Sequence, residues 1–370
     1  MLTALAADRA RIPEFDAKIL VLERSLSELR VQRAQAQKRL DSFKYPILTL
    51  PNEITTEIFL HFLPAYPNCP RLAGRHSPAL LTEISREWRA IALEIPALWG
   101  AIFLPSANIP FRKQASLLNL WLSRSKCCPL SIYINDFLSY SSFAPEALSC
   151  VAPHRARWEN LVLYAPKLQL SELLAGPMPL LRRLDLLVED SLDGPMTRKL
   201  EAPMLRTVLL NDIAARHIIF PWAQLTALAL DKLFPRECTR ILQHTVNLIH
   251  CELGLATDSS HQDVPAVTLL CLQTLTLTHV FEGKPVTGYL QTLILPALQS
   301  LRVPASFLGL DSIETLQSFV SKSGCTLQEL CITRRIASGS NASYYTAFPS
   351  TKVTFDEWTP CLLDSWLKFS

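Results

Sequence analysis

Apolar residues follow three different rhythms along the chain. In the first, Leu5, Ile12, Ile19, Leu26, Arg33 and Leu40 recur every seven residues, and Phe15, Leu22, Leu29 and Ala36 each follow one of them by three. Alternating three–four spacing draws a narrow apolar seam along one side of a helix. Glu23, Arg24, Glu28, Arg30, Lys38 and Arg39 occupy the other faces. A helix over 5–42 would be roughly 55 Å long at 1.5 Å per residue. Two arrangements would cover its seam: a second copy in a coiled-coil dimer, or the chain folding back on itself. Arg33, at a seam position, leaves both open.

The second rhythm is shorter. Pro46 ends the first helical pattern, and Pro51 fits the first turn of a new helix. Ile54, Ile58, Phe59, Phe62 and Leu63 supply its apolar positions. Pro64, Pro67, Pro70 and Pro78 then exclude regular helix. Ser77-Pro78 reads as a helix cap and first helical residue. Leu81, Ile84, Trp88, Ile91 and Ile95 follow at three–four spacing until Pro96.

From about residue 97 the pattern becomes L-x-x-L-x-L. It occurs at Leu181, Leu184, Leu186; Leu205, Val208, Leu210; Leu225, Leu228, Leu230; and Leu248, Cys251, Leu253. It continues at Leu272, Leu275, Leu277; Leu298, Leu301, Val303; and Leu327, Leu330, Ile332. Successive copies start 24, 20, 23, 24, 26 and 29 residues apart, the period of leucine-rich repeats. Weaker copies stand at Trp158, Leu161, Leu163, at Ile132 and Ile134, and at Trp99, Ile102, Leu104. Each copy predicts a short strand with alternate side chains buried. Of the returning segments, 236–243 and 312–321 read as helical and 193–203 as irregular. An ordinary α/β domain with leucine-rich strands is the alternative. Leucine-rich repeats place Asn or Cys three residues after the last motif leucine; here Glu189, Ile213, Leu233, Ala256, Val280 and Ser306 stand there. The solenoid is therefore expected to be irregular.

Residues 48–99 resemble the F-box, a three-helix module that binds Skp-family adaptors of cullin ubiquitin ligases. The stretches that carry the resemblance are Leu50-Pro51-Asn52-Glu53-Ile54, Glu57-Ile58-Phe59, Ile84-Ser85-Arg86-Glu87-Trp88-Arg89-Ala90-Ile91-Ala92 and Leu98-Trp99. The layout, with a heptad helix before the box, is similar to F-box proteins of mushroom-forming fungi. The sequence departs from the family at 64–78, a longer connection, and at Ser85, where a cysteine is common. The resemblance implies an adaptor surface made by Leu50, Pro51, Ile54, Ile58, Leu81, Ile84 and Trp88. Some of these, Trp88 with Trp99 above all, are equally suited to hold the box together.

The expected architecture is α/β. It comprises a heptad helix (1–43), a three-helix box (44–100), an irregular leucine-rich-repeat-like solenoid with a parallel sheet (101–340) and a C-terminal cap (341–370). Strand alternation turns Arg183, Asp185, Asn211, Asp231, Glu252, Thr276 and Arg302 away from the motif leucines. They are the candidate client-binding residues, expected to be solvent-exposed. Merely solvated strand residues are the alternative.

Composition narrows the partners. A net charge of +3 over 370 residues gives no dense basic field, so nucleic acid is not an expected partner. No apolar run reaches the ~18 residues needed to cross a membrane. The first 11 residues lack the pattern of a secretory leader. The ten cysteines form no CxxC pair, which suits reduced thiols in the cytoplasm or nucleus. In that setting the glycosylation triplet Asn341-Ala342-Ser343 reads as chance.

Catalytic patterns are lacking: no G-x-S-x-G, phosphate-binding glycine loop or H-E-x-x-H occurs. His244 and His250 are six apart, a poor helical metal pair, and the neighbours Cys127 and Cys128 face opposite ways in a strand. Glu189-Asp190 reads as a solvated acidic pair. No catalytic residue, metal or cofactor is expected. The function implied is substrate recruitment, joining a client protein to a Skp-family adaptor and through it a cullin. The competing reading is a repeat scaffold unconnected with degradation.

Overall fold

The computed structural model describes residues 2–42, 47, 50–64, 66–104, 111–135, 144–168, 176–191, 198–256, 264–279, 286–333 and 341–356. Leu48 and Thr49 of the box-like segment, Val280, and 357–370 of the expected cap lie outside them. The chain divides into two units, Met1–Glu57 and Ile58–Ser370.

The first unit is dominated by α1 (Leu2–Ser42), 41 residues of helix and about 60 Å long by rise alone. The heptad spacing accounts for it. Pro13 interrupts its N–H ladder, and its large apolar side chains from Leu5 to Leu40 stay exposed.

α2 (Asn52–His61) begins in the first unit and ends in the second. In the second, Ser77 Oγ accepts the Ala79 N–H at 3.2 Å and starts a 3₁₀ turn, Pro78–Leu80. The turn runs into α3 (Leu81–Ile84). Ser85 interrupts the helix expected from the spacing of Leu81 to Ile95. Its backbone is extended (φ −150°, ψ 164°), and its Oγ accepts the Trp88 N–H at 3.1 Å, capping α4 (Arg86–Glu94). A serine that caps well competes with helix continuation. A second 3₁₀ turn, Pro96–Trp99, leads into the sheet.

Eleven parallel strands form one open sheet whose order is the chain order. They are β1 (Ala101–Leu104), β2 (Leu130–Asn135), β3 (Trp158–Leu168), β4 (Arg183–Ser191), β5 (Thr207–Asn211) and β6 (Ala227–Leu233). Then come β7 (His250–Leu255), β8 (Thr274–His279), β9 (Ser300–Pro304), β10 (Glu329–Thr333) and β11 (Lys352–Asp356). Every L-x-x-L-x-L copy coincides with a strand, the weaker ones included. β11 departs from the expectation: Val353 and Phe355 alternate, but no leucine stands at the first motif position. The described part of the expected cap is a short helix, Asn341–Ala347, followed by this additional strand.

The first motif leucines, such as Leu181, Leu205, Leu225 and Leu248, are fully buried just before their strands. The carbonyl that follows each is a shared acceptor. Arg206 O takes the N–H groups of Thr226 and Ala227 at 2.9 and 3.1 Å; Thr226 O takes those of Ile249 and His250 at 2.8 and 3.0 Å. This carbonyl ladder ties neighbouring copies together without the Asn or Cys side chains that the sequence lacks at the position after the motif.

The returning segments include α5 (Phe111–Arg124), α6 (Ala144–Val151), α7 (Asp212–His217), α8 (Pro235–Leu242), α9 (Ala305–Leu308) and α10 (Ser312–Ser323). α8 and α10 fall where the sequence predicts helix. One continuous core joins the inward leucines of the sheet to Phe59, Leu72, Leu81, Ala92, Leu98 and Trp99. Within it Trp99 packs edge-on against Trp121, ring centroids 5.3 Å apart. Residues 58–100 therefore share their core with the repeats after them.

Candidate functional site

Two groups of residues stand out in the sequence as candidates for binding. In the box-like segment the apolar residues separate into two sets. Phe59 and Leu81 are buried, and Trp88 is half-buried with its ring edge-on to Phe59 at 4.9 Å. Trp99 is fully buried; its Nε1 donates to Ala92 O at 3.1 Å, and the Arg124 guanidinium lies 4.5 Å from its ring. Leu81 thus belongs to the core rather than to a docking face, and Trp88 largely supports Phe59. The extended backbone of Ser85 ends α3 at Ile84, so Leu81 and Trp88 do not lie on one continuous helix. Ile84, by contrast, is 55% exposed and Ile58 42%, with Phe62 and Leu93 also exposed. In the first unit, Ile54 and Pro51 are exposed and Leu50 is half-buried. The Thr55 hydroxyl donates back to Pro51 O at 3.3 Å across the first turn of α2.

The second group lies on the sheet face opposite the motif leucines. Strand register places Asp185, Leu209, Ala229, Glu252, Thr276 and Arg302 side by side in one row. Arg183 stands in the row before it, and Asn211 pairs with Asp231 in the row after. The alternation is as expected, but the exposure is not. Arg183, Asp185, Asn211, Glu252 and Thr276 are buried; only Asp231 and Arg302 are half-buried.

The chain itself covers this face at its β1–β4 end. Tyr66 lies over the Arg183 guanidinium at 5.7 Å, Cys69 Sγ donates to Ser131 O, and Pro70 O accepts the Phe103 N–H at 3.2 Å. Residues 66–71 therefore run from β4 back to the free edge of β1, where Arg71 bridges to Phe103. Beneath them Phe103, Tyr133 and Tyr164 form an aromatic row, with centroids 4.9 and 5.8 Å apart. Val162, Tyr164, Leu187, Leu209, Ala227 and Ala229 make a second apolar cluster. Alternation says which face a residue takes, not whether that face is covered.

Burial then dictates pairing. Arg183 donates to Asp185 through Nε at 2.9 Å and Nη2 at 2.7 Å. Burial pulls the guanidinium toward neutrality, but the adjacent Asp185 carboxylate outweighs that and holds it more firmly charged. Burial likewise pushes the Tyr66 and Tyr164 phenols upward and the Cys69 thiol up to about 12. Asn211 caps α7 by accepting the Ala214 N–H at 3.2 Å, and its amide donates to Val188 O. Arg302 on β9 reaches over the one intervening strand, β10, to Asp356 Oδ2 at 2.8 Å, an oxygen that also accepts from Cys331 Sγ. Asp231 is raised by burial despite Lys232 beside it.

Sequence reasoning missed Tyr66 and Cys69. The usable signal is an aromatic and a thiol spaced among prolines, residues that an exposed linker does not need. Toward the other end of this face the strand starts become more open. Thr274 and Ser300 are half-buried, and Glu329 and Lys352 are exposed and paired at 3.2 Å.

A groove of about 340 Å³ lies on the returning side between α7 and α8. Trp222, Ile219 and Ile241 line it, and Arg216 at its rim pairs with Asp212 at 3.5 Å and Glu237 at 3.2 Å. Among the described residues no cluster of His, Cys, Asp or Glu is placed to hold a metal ion, and no helix is long and apolar enough to cross a membrane. Neither the known protein-family models nor the curated proteins contain a match to this chain.

Proposed function

We propose that the protein is a substrate-recruiting adaptor of the F-box type, and that its repeat region is leucine-rich-repeat-like and carries the client. The observation that supports this is the split within residues 50–99. Phe59, Leu81, Ala92, Leu98 and Trp99 hold the segment to the sheet, while Ile58 and Ile84 remain exposed on short helices and Phe62 in the turn that follows α2. Large aliphatic and aromatic side chains left exposed on short helices mark a surface for another protein. Each such side chain buried in a complex contributes roughly 1.5–3 kcal/mol. In the second unit the adaptor contact is assigned to Ile58, Phe62 and Ile84, with Leu81 removed from it and Trp88 supporting it from behind; in the first unit Leu50, Pro51 and Ile54 are kept as the residues that the F-box resemblance implies.

The client contact moves to the open end of the sheet, at Thr274, Ser300, Arg302, Glu329 and Lys352. No bond-making step falls to this chain. It acts by holding a client near a charged ubiquitin-conjugating enzyme, which raises effective concentration.

The test is a pull-down of a Skp-family adaptor by the full chain and by the Leu50→Ala/Pro51→Ala double variant. Wild type retains adaptor and the variant loses most of it, with melting unchanged. Equal retention by both would remove these two residues from the interface.

A further inference from the structure

The exposed seam of α1 is shaped for a second copy of the same segment. Ile12, Phe15, Ile19, Leu22, Leu26 and Leu29 are 48–67% exposed over three heptads. Taking Ile12, Ile19 and Leu26 as position a and Phe15, Leu22 and Leu29 as position d, the flanking g and e positions hold charges. Arg11 and Lys18 are at g; Asp16, Glu23 and Arg30 are at e. Arg11 and Lys18 both lie along the seam, 5.4 and 5.9 Å from the Phe15 ring. In a parallel pair, each g residue meets the e residue five places further along the partner. Arg11 then faces Asp16, Lys18 faces Glu23, and no like charges meet over this stretch. An antiparallel pair overlapping the same apolar residues places Ile19 opposite Leu22. That brings Asp16 against Glu23 and Arg9 against Arg30, both repulsive.

Arg33 at position a adds a preference for number. One polar residue in the seam sets register and oligomer state at some expense of stability, and in a two-stranded coil its long stem reaches solvent more easily than in a larger bundle. Pro13 falls at position b, away from the partner. Leu20, Val21 and Val31 lie off the seam and remain outside the contact.

We propose that α1 pairs with α1 of a second copy as a parallel, in-register two-stranded coiled coil, steered by Arg11–Asp16 and Lys18–Glu23 pairs between chains. A dimer built this way carries two box-like segments and two sheets.

Sedimentation equilibrium of the full chain tests the pairing. The expected result is a concentration-dependent dimer that Leu22→Lys abolishes while the melting of the sheet unit stays the same. Glu23→Lys reads the direction. In the parallel pair it sets Lys18 of each chain against the introduced lysine of the other and weakens association roughly tenfold, the sum of several small charge effects. Lys18→Glu combined with Glu23→Lys restores it. The proposal is overturned by a monomer at the highest soluble concentration, which means the seam is covered within the chain. A dimer indifferent to Leu22→Lys, formed through another surface, overturns it too. So does a dimer strengthened by Glu23→Lys, the signature of the antiparallel pair.

Discussion

Arg183 donates through two nitrogens to Asp185, two residues along the same strand, and both side chains are buried. Residues i and i+2 of a strand share a face, so the pair needs no tertiary adjustment to form. Its burial beneath Tyr66 makes each partner depend on the other. Asp185→Ala leaves a buried guanidinium facing apolar neighbours and is expected to destabilise the protein by about 3–5 kcal/mol. Arg183→Met combined with Asp185→Leu removes both charges and costs much less. Urea denaturation of the two variants measures the contrast, and equal losses would mean the pair is not buried as described.

Trp99 and Ile84 lie in the same box-like segment but answer to different demands. Trp99→Ala empties a fully enclosed site between Trp121 and the Arg124 side chain, and the lost contacts and the cavity together cost about 3–5 kcal/mol. Ile84→Ala removes an exposed side chain and leaves stability within about 0.5 kcal/mol. Thermal melting distinguishes them: a large shift for Ile84 would make it structural.

Thiol chemistry reports on the covering segment. Cys127 and Cys271 are exposed, Cys238 and Cys251 are buried, and burial raises the Cys69 thiol to about 12. A thiol is nucleophilic only as the thiolate. In mildly alkaline buffer an alkylating reagent should modify Cys127 and Cys271 first, with Cys69, Cys238 and Cys251 protected until unfolding. Mass spectrometry of tryptic peptides over time gives the order. Early labelling of Cys69 would show that residues 66–71 do not stay against the sheet.

Asp231 carries a sign that can be checked. Burial raises its carboxyl above the ordinary 3.8, so the folded state holds the proton more tightly than the unfolded chain. The stability it contributes is complete below the unfolded value and is lost as pH rises through the folded one. Asp231→Asn should therefore be more stable than wild type at neutral pH, with the gain vanishing in acid below about pH 4. A gain that persists in acid would point to a cause other than ionisation.

Much of the fold is legible in the sequence because burial leaves a periodic trace there. The L-x-x-L-x-L copies mark ten of the eleven strands, since the alternating pair within each strand is buried and, in the seven full copies, so is the leucine before it. The strand at Val353 and Phe355 escapes because only the alternation remains there. Ser77 announces its cap. Ser85 does not, since its neighbours Ile84 and Trp88 fit one continuous helix equally well. The row containing Asp185, Glu252 and Thr276 is legible from period two alone. The burial of Asp185 is not, because at the β1–β4 end the cover comes from residues 66–71, far away in sequence and lacking any periodic pattern.

A Skp-family adaptor gripped by the segment from α2 to α4 requires Ile58 and Ile84 to be exposed for that purpose. Titration calorimetry of the purified full chain with a purified Skp-family adaptor addresses the grip directly, comparing wild type with Ile58→Asp/Ile84→Asp. Wild type is expected to bind saturably and the variant to lose at least a hundredfold in affinity, about 2.7 kcal/mol, with melting temperatures that agree. No heat of binding from wild type, or equal affinity for both proteins, would contradict the adaptor role.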